Sequence, residues 1–302
     1  MIIIGIDENG LGPVLGPMVV TACAFRAEDY DVDAFWSLSD SALPADDSKI
    51  VFKQNRKATA EAAVLKWLRL FSVTPDSTDK LYTRICRPMD TPCPPQRHSV
   101  CRPLSIFSIP FFGTASATIG DDILKRFSTA NIVPLDCAAF AVCPGTYNHL
   151  LSGDSLNKLQ LDFKLMVQLI SHIRSLHPNE PILALCGKVG GTRCYIPWFE
   201  SSGMDNITVI SERREESRYS VDDNLEIAFI KDGDGLHLPI AVASMVGKYV
   251  RELQMVETNE LLAPGEKHIS GYRDPRTKTF IVQTVRMRTA LGLPDRCFLR
   301  NS

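Results

Sequence analysis

Apolar residues in this chain fall into short separated runs with the character of buried strands, and into longer stripes at helical spacing. Residues 1–6, MIIIGI, are a β-branched run of the first kind, and residues 18–25, MVVTACAF, are a second. Further runs predict strands over 135–142, 181–186, 207–210 and 225–230, with weaker alternation over 104–112. The pair at 207–210 and 225–230 is parted by the charged stretch 212–223 and reads as an elaborated hairpin. Helical spacing predicts a helix over 53–70, for which Ser48 offers an N-cap. A second helix covers 154–176, where Leu161, Leu165, Met166, Leu169 and Ile170 recur near helical period. A third runs for about five turns from Pro239, with proline in its first turn. A short one over 279–291 follows, and 28–45 reads as loop with a short helix.

Chemistry enters where the first strand meets two adjacent carboxylates, Asp7 and Glu8, followed by a turn holding Gly10, Gly12, Pro13, Gly16 and Pro17. Acids at the end of a buried strand are costly unless something positive meets them, and a divalent cation with oxygen ligands is the natural partner. Glycines let backbone amides approach a ligand closely. Read alone, the stretch fits a β-hairpin with a solvated acidic turn better than a metal site.

The whole string GIDENGLGPVLGP resembles the opening signature of type 2 ribonucleases H (ribonuclease HII), an apolar strand followed by D-E-x-G-R-G-P-x-x-G-P. Asp7, Glu8, Gly10, Gly12, Pro13, Gly16 and Pro17 fall on it without a gap, and Leu11 stands where the family has arginine. The resemblance implies an α/β, RNase H-like fold, a mixed central sheet flanked by helices. It implies that Asp7 and Glu8 help to hold catalytic Mg²⁺ or Mn²⁺. It places the turn, Gly10, Leu11 and Gly12, at the 2′-hydroxyl of the scissile ribonucleotide.

Later stretches extend the likeness. DDSK at 46–49 resembles the family's N-D-S-K, implying that Ser48 and Lys49 contact substrate phosphate. Asn157 falls where the family has an asparagine at the start of a helix. Gly233-Asp234 and the following I-x-x-A-S-x-x-x-K-x-x-R resemble the last catalytic block, so Asp234 takes an aspartate position and Ser244, Lys248 and Arg251 match on the helix. Gly271-Tyr272 matches a late G-Y whose tyrosine packs on the nucleotide after the RNA–DNA junction. The family's downstream histidine is missing.

The main departure is at the 181–186 strand. The family ends this strand in aspartate, whereas this chain has Cys186-Gly187-Lys188. The local text reads either as a plain strand-to-helix loop or as a glycine-rich turn whose Lys188 holds a phosphate. A thiol is a poor ligand for a hard cation. The second metal is therefore expected to be poorly held, and Gly187→Asp or Cys186→Asp to raise activity.

We read one domain over 1–302, with an insertion at about 72–130 and an inserted hairpin at about 212–232. The insertion's Pro- and Arg-rich centre carries Cys86, Cys93, His98 and Cys101, but without the close cysteine pair of most zinc sites it reads better as a loop. A net charge of −2 gives no global basic signal, so any polyanion must be met by a local patch. Nine scattered cysteines, no basic stretch ahead of Asp7 and no apolar run near the roughly 20 residues of a membrane span point to a cytoplasmic monomer with reduced thiols and no membrane contact.

Three functions fit these features. One is a metal-dependent endoribonuclease acting on RNA in RNA/DNA hybrids or on ribonucleotides embedded in DNA. Another is a catalytically impaired relative that binds hybrid or junction nucleic acid. The third, a nucleotide or phosphosugar enzyme, lacks a P-loop or dinucleotide fingerprint.

Overall fold

The computed structural model describes residues 1–53, 56–89, 107–114, 117–153 and 156–301, apart from the Lys49 side chain. Among these, the strands are β1 (Ile2–Asn9), β2 (Met18–Arg26), β3 (Val133–Val142), β4 (Ile182–Gly187), β5 (Ile207–Glu212), β6 (Glu216–Val221) and β7 (Leu225–Ile230). They form one sheet in the order β3-β2-β1-β4-β7-β6-β5. β1 is antiparallel to β2 and parallel to β4, β4 is parallel to β7, and the other neighbours are antiparallel. The helices are α1 (Val32–Trp36), α2 (Ser48–Val51), α3 (Lys57–Leu70), α4 (Thr78–Ile85), α5 (Asp121–Thr129), α6 (Pro144–Gly153), α7 (Lys158–Leu176), α8 (Ile196–Glu200), α9 (Gly233–Leu236), α10 (Leu238–Leu262), α11 (Pro275–Gln283) and α12 (Val285–Ala290). This is the α/β architecture that the resemblance implied, a mixed central sheet flanked by helices.

The period of two along β1 sorts the core. Ile3 joins a buried cluster with α3 and α10, while Ile2, Ile4 and Ile6 join another with α7. Gly5 shares the face of Ile3. A Cβ there would lie 2.0 Å from the Pro239 carbonyl carbon, so α10 begins directly against bare strand backbone. That contact sets the start of α10 beside the carboxyl end of β1. A third cluster (Leu15, Met255, Leu262, Ile269, Phe280, Leu293 and Phe298) joins the glycine-rich turn to the C-terminal helices. Val14 and Leu15 N–H donate to the Gly271 carbonyl at 2.9 and 3.2 Å, and Arg300 N–H donates to the Val14 carbonyl at 2.9 Å. The Arg300 guanidinium donates to the Pro13 carbonyl.

Several elements differ from their sequence-based expectation. β1 runs to Asn9 rather than stopping at Ile6, because β2 pairs with it as far as Asn9↔Val19. Both acids therefore lie inside the ladder. The 53–70 segment is helical only from Lys57, and Ser48 belongs to a separate short helix instead of capping the long one. The hairpin holds an extra strand, β6, which alternately buries Ser217, Tyr219 and Val221. In the described part of 104–112 there is only the bridge Ser77↔Ser108. The N–H groups of Phe111, Phe112 and Gly113 instead donate to the buried Glu61 carboxylate at 2.6, 2.7 and 3.1 Å. α10 has 25 residues, more than five turns. The last helix is broken into α11 and α12 at Thr284. Cys93, His98 and Cys101 lie outside the described residues, and among the described ones no helix is long and apolar enough to cross a membrane.

Candidate active site

Successive residues of a strand point to opposite faces, so β1 sends Asp7 toward α10 and Glu8 toward α7. The Asp7 carboxylate is hydrogen-bonded by the Ser244 side chain of α10 and by the Glu8 backbone N–H. The hydroxyls of Ser244 and Ser48 are bonded to each other at 3.0 Å, and Asn9 Nδ2 donates to the Ser244 carbonyl at 3.0 Å. α10 thus meets the strand end through one buried serine. Asp234 sits in α9, immediately ahead of α10, where its charge acts on Asp7. On the other side, the Leu11 backbone N–H donates to Glu8 Oε2 at 3.0 Å. This uses only the backbone of residue 11. Its side chain packs half-buried against the α7 core.

These residues surround one cavity of about 240 Å³. Asp7, Glu8, Gly10, Leu11, Gly12, Ser48, Lys188, Asp234, Ser244, Lys248 and Tyr272 all line it. A larger cleft of about 620 Å³ lies alongside and shares Lys248, but Asp7, Glu8 and Asp234 line only the smaller one among the described clefts. Burial, then the charge of Glu8, with a smaller push from Asp234, raises the Asp7 carboxyl well above its usual range; the Ser244 bond opposes the shift.

Two expected contacts take other duties. Asn157 is exposed and caps α7, accepting from Leu159 and Gln160 N–H at 2.9 and 3.0 Å while Gln160 returns a bond to its own N–H. It does not line the cavity. Lys188 lines the cavity, yet its ammonium donates to the Arg213 carbonyl at 2.7 Å and Ser217 Oγ at 3.1 Å, bracing the β5–β6 turn. Lys248 pairs with Glu252 at 3.0 Å, and Lys57 reaches the same carboxylate at 2.7 Å. Burial pushes Glu252 up, but the two lysines overcome it and hold the carboxyl at about 2. Tyr272 is exposed at the cavity mouth with its ring 5.7 Å from the Arg251 guanidinium. Arg251 itself is buried and ties the turn to the Leu15 and Ser270 carbonyls. Lys49 lies outside the described residues.

The end of β4 accounts for one departure from the family pattern. Cys186 is paired with Ile6 and faces α7, so Gly187 faces the same side as Asp7. A Cβ on Gly187 would stand 2.4 Å from Asp7 Oδ1. The bare glycine is the space in which the Asp7 carboxylate lies. Gly187→Asp would displace Asp7, which corrects the expectation that this substitution helps.

Sequence reasoning passed over Asp162. It lies on α7 and is fully buried, and neither carboxylate oxygen has a hydrogen-bond partner. Burial, then the charges of Glu8 and Asp7, raises its carboxyl well above the usual range. The signal was its position: Asp162, Leu165, Met166 and Leu169 share one helical stripe, and only the first is polar.

Among the described residues, no three acidic, histidine or cysteine side chains converge tightly enough to ligate an ion as they stand. The donor chemistry nevertheless suits Mg²⁺ or Mn²⁺. Asp7, Glu8 and Asp234 offer carboxylate oxygens to one cavity, and a cation there would offset their mutual repulsion.

No protein-family model matches the chain, and no curated protein matches it by sequence. Similar solved structures include RNase HII from Archaeoglobus fulgidus, determined in a complex with PCNA, at 16% identity and TM-score 0.48, over 99% of this chain and 94% of that one. Bst-RNase HIII in complex with Mn²⁺ is similar at 15% identity and TM-score 0.49, over 99% of this chain and 66% of that one. Ribonuclease H2 from Pyrococcus horikoshii OT3 is similar at 12% identity and TM-score 0.44, over 99% and 92%.

Proposed function

We propose that this chain is a divalent-metal-dependent endoribonuclease of the type 2 ribonuclease H kind, cleaving RNA in RNA/DNA hybrids or at ribonucleotides embedded in DNA. One observation carries the reading. Stretches of sequence that resemble the family's separate motifs, spread from Asp7 to Tyr272, line a single cavity. A loop-and-helix coincidence would scatter them.

Asp7, Glu8 and Asp234 would hold the metal, which when bound stabilises charge on the attacking and leaving oxygens of a phosphodiester. The chain's own residues do the rest. Ser244 fixes the rotamer of Asp7, and the Leu11 N–H fixes that of Glu8. Gly12, whose Cβ would meet nothing nearer than the Tyr272 ring at 3.8 Å, leaves room for a sugar to approach, while the bare side of Gly10 packs on Arg251 and Pro17. Lys248 brings positive charge to the cavity edge, and the exposed Tyr272 ring offers a stacking face for a base.

A second reading has its own support. Cys186 and Gly187 offer no carboxylate where the family pattern has one, which favours a protein that binds hybrid without efficient turnover. A cleavage assay on a duplex with one embedded ribonucleotide, in Mg²⁺ and then Mn²⁺, separates the two. The expected result is cleavage 5′ or 3′ of the ribonucleotide only, faster with Mn²⁺. Binding without cleavage in either metal favours the second reading, and neither binding nor cleavage removes both.

A further inference from the structure

Helix α7 lies across β1, β2 and β4 on the face opposite α10. Its inner side is apolar except for Asp162, which is 0% exposed. Among the described residues, the other buried side-chain atoms without a partner are one threonine hydroxyl and nitrogens of three arginines. Asp162 is thus the one buried carboxylate with both oxygens unpartnered. Protonation would not resolve this, because a carboxylic acid adds a donor that also needs a partner. The charges acting on it come from Glu8 and Asp7, with no cation among them.

Its place relative to β4 adds a second observation. Asp162 exerts the largest charge effect on the Cys186 thiol. Cys186 faces α7 from the end of the strand, and it is one of the two residues, with Gly187, at which the resemblance expects an aspartate. A carboxylate on residue 186 and the carboxylate of Asp162 would enter the same space from opposite sides, one from the sheet and one from the helix.

We propose that Asp162 is the fourth acid of the metal centre, supplied by helix α7 in place of the carboxylate missing from the end of β4, and that it holds a second divalent cation together with Glu8 and Asp7. This rests on the metal-nuclease reading above. The cation that satisfies Asp162 is the one the strand can no longer hold. Helix α7, anchored by the Asn157 capping box, sets its reach.

The test is Mn²⁺ titration by calorimetry on the full chain, with thermal melting with and without Mn²⁺. Wild type is expected to bind two Mn²⁺. Asp162→Asn, which keeps the shape, should bind one with near wild-type affinity and the second at least about tenfold more weakly. Without metal it should melt no lower than wild type, and Mn²⁺ should raise its melting temperature less. Cys186→Asp combined with Asp162→Asn should restore the second ion by returning the acid to the strand. Asp162→Asn binding two Mn²⁺ with wild-type affinity overturns the assignment while leaving the metal-nuclease reading intact. A wild type that binds no Mn²⁺, or an Asp7→Asn variant that binds it unchanged, removes the underlying reading and this one with it.

Discussion

The two faces of the sheet at the end of β1 are built differently. On the α10 face, hydrogen bonds link Asp7, Ser244, Ser48 and Asn9, and Lys248, Glu252 and Lys57 form a paired network. On the α7 face, Glu8 accepts from the Leu11 backbone N–H, and Asp162 has no hydrogen-bond partner. The likeness to the family breaks at the end of β4, where Cys186 faces α7 and Gly187 faces the side of Asp7. Where the side chains satisfy one another, the motif persists. Where a motif residue is missing, an unsatisfied group stands nearby. A buried carboxylate without a partner costs about 1–3 kcal/mol or more, so it survives when something else depends on it.

The largest effect should come from the α10-face acid whose charge also acts on Asp162. Asp7→Asn removes a charged ligand that Glu8, Asp234 and Asp162 all feel. We expect cleavage to fall by on the order of 10³-fold or more and the Mn²⁺-dependent rise in melting temperature to vanish. Retained turnover within about tenfold would mean that the site is misassigned.

An intermediate effect tests the geometry of β4. Gly187→Asp should slow cleavage roughly 10–100-fold, since its Cβ would occupy space 2.4 Å from Asp7 Oδ1. Cys186→Asp faces α7 and leaves Asp7 in place. If the two variants behave alike in steady-state kinetics, the difference between the faces has no functional meaning.

The smallest effect is on stability against pH. In the folded state Asp7 and Asp162 both keep protons that the unfolded chain releases near pH 4. A raised folded-state pKa contributes stability that is present below the unfolded value and is lost as pH rises through the folded one. Metal-free protein should therefore lose stability as pH climbs above 4, and Mn²⁺ should flatten the slope. Glu257, elsewhere on α10, is pushed up to about 7 by burial and adds to the same trend. The diagnostic quantity is thus the difference between wild type and Asp162→Asn in denaturant melts across pH. Equal slopes would mean that Asp162 does not keep its proton in the metal-free fold.

Much of the fold was legible in its apolar runs and stripes. The unbroken β-branched run over 1–6 announced a buried strand, and the apolar stripe of α10 announced a long helix. The extension of β1 through Asp7 and Glu8 was hidden, since acids in a ladder make sense only once β2 is seen to pair with them. β6 was hidden because Glu216, Arg218 and Ser220 mask its alternation, and Glu226, which holds Arg218 together with Glu216, comes beside it only in the sheet. At the site, each motif residue was readable by type and spacing, but not its duty. Asn157 spends its side chain on a cap and Lys188 on a turn. Asp162 could not be read at all from a motif, because its meaning comes from the strand end opposite it.

The anchoring of the glycine-rich turn also has a consequence in time. The turn is fastened by Gly271 and by Arg300, whose contact with Pro13 spans 287 residues of sequence. During synthesis the acids of β1 leave the ribosome early, while the residues that tie down the turn beside them arrive last among these partners. Such a long-range closure is entropically slow to form. The nascent chain therefore carries its acids without the tethered turn, and the cavity is completed only as a late event of folding.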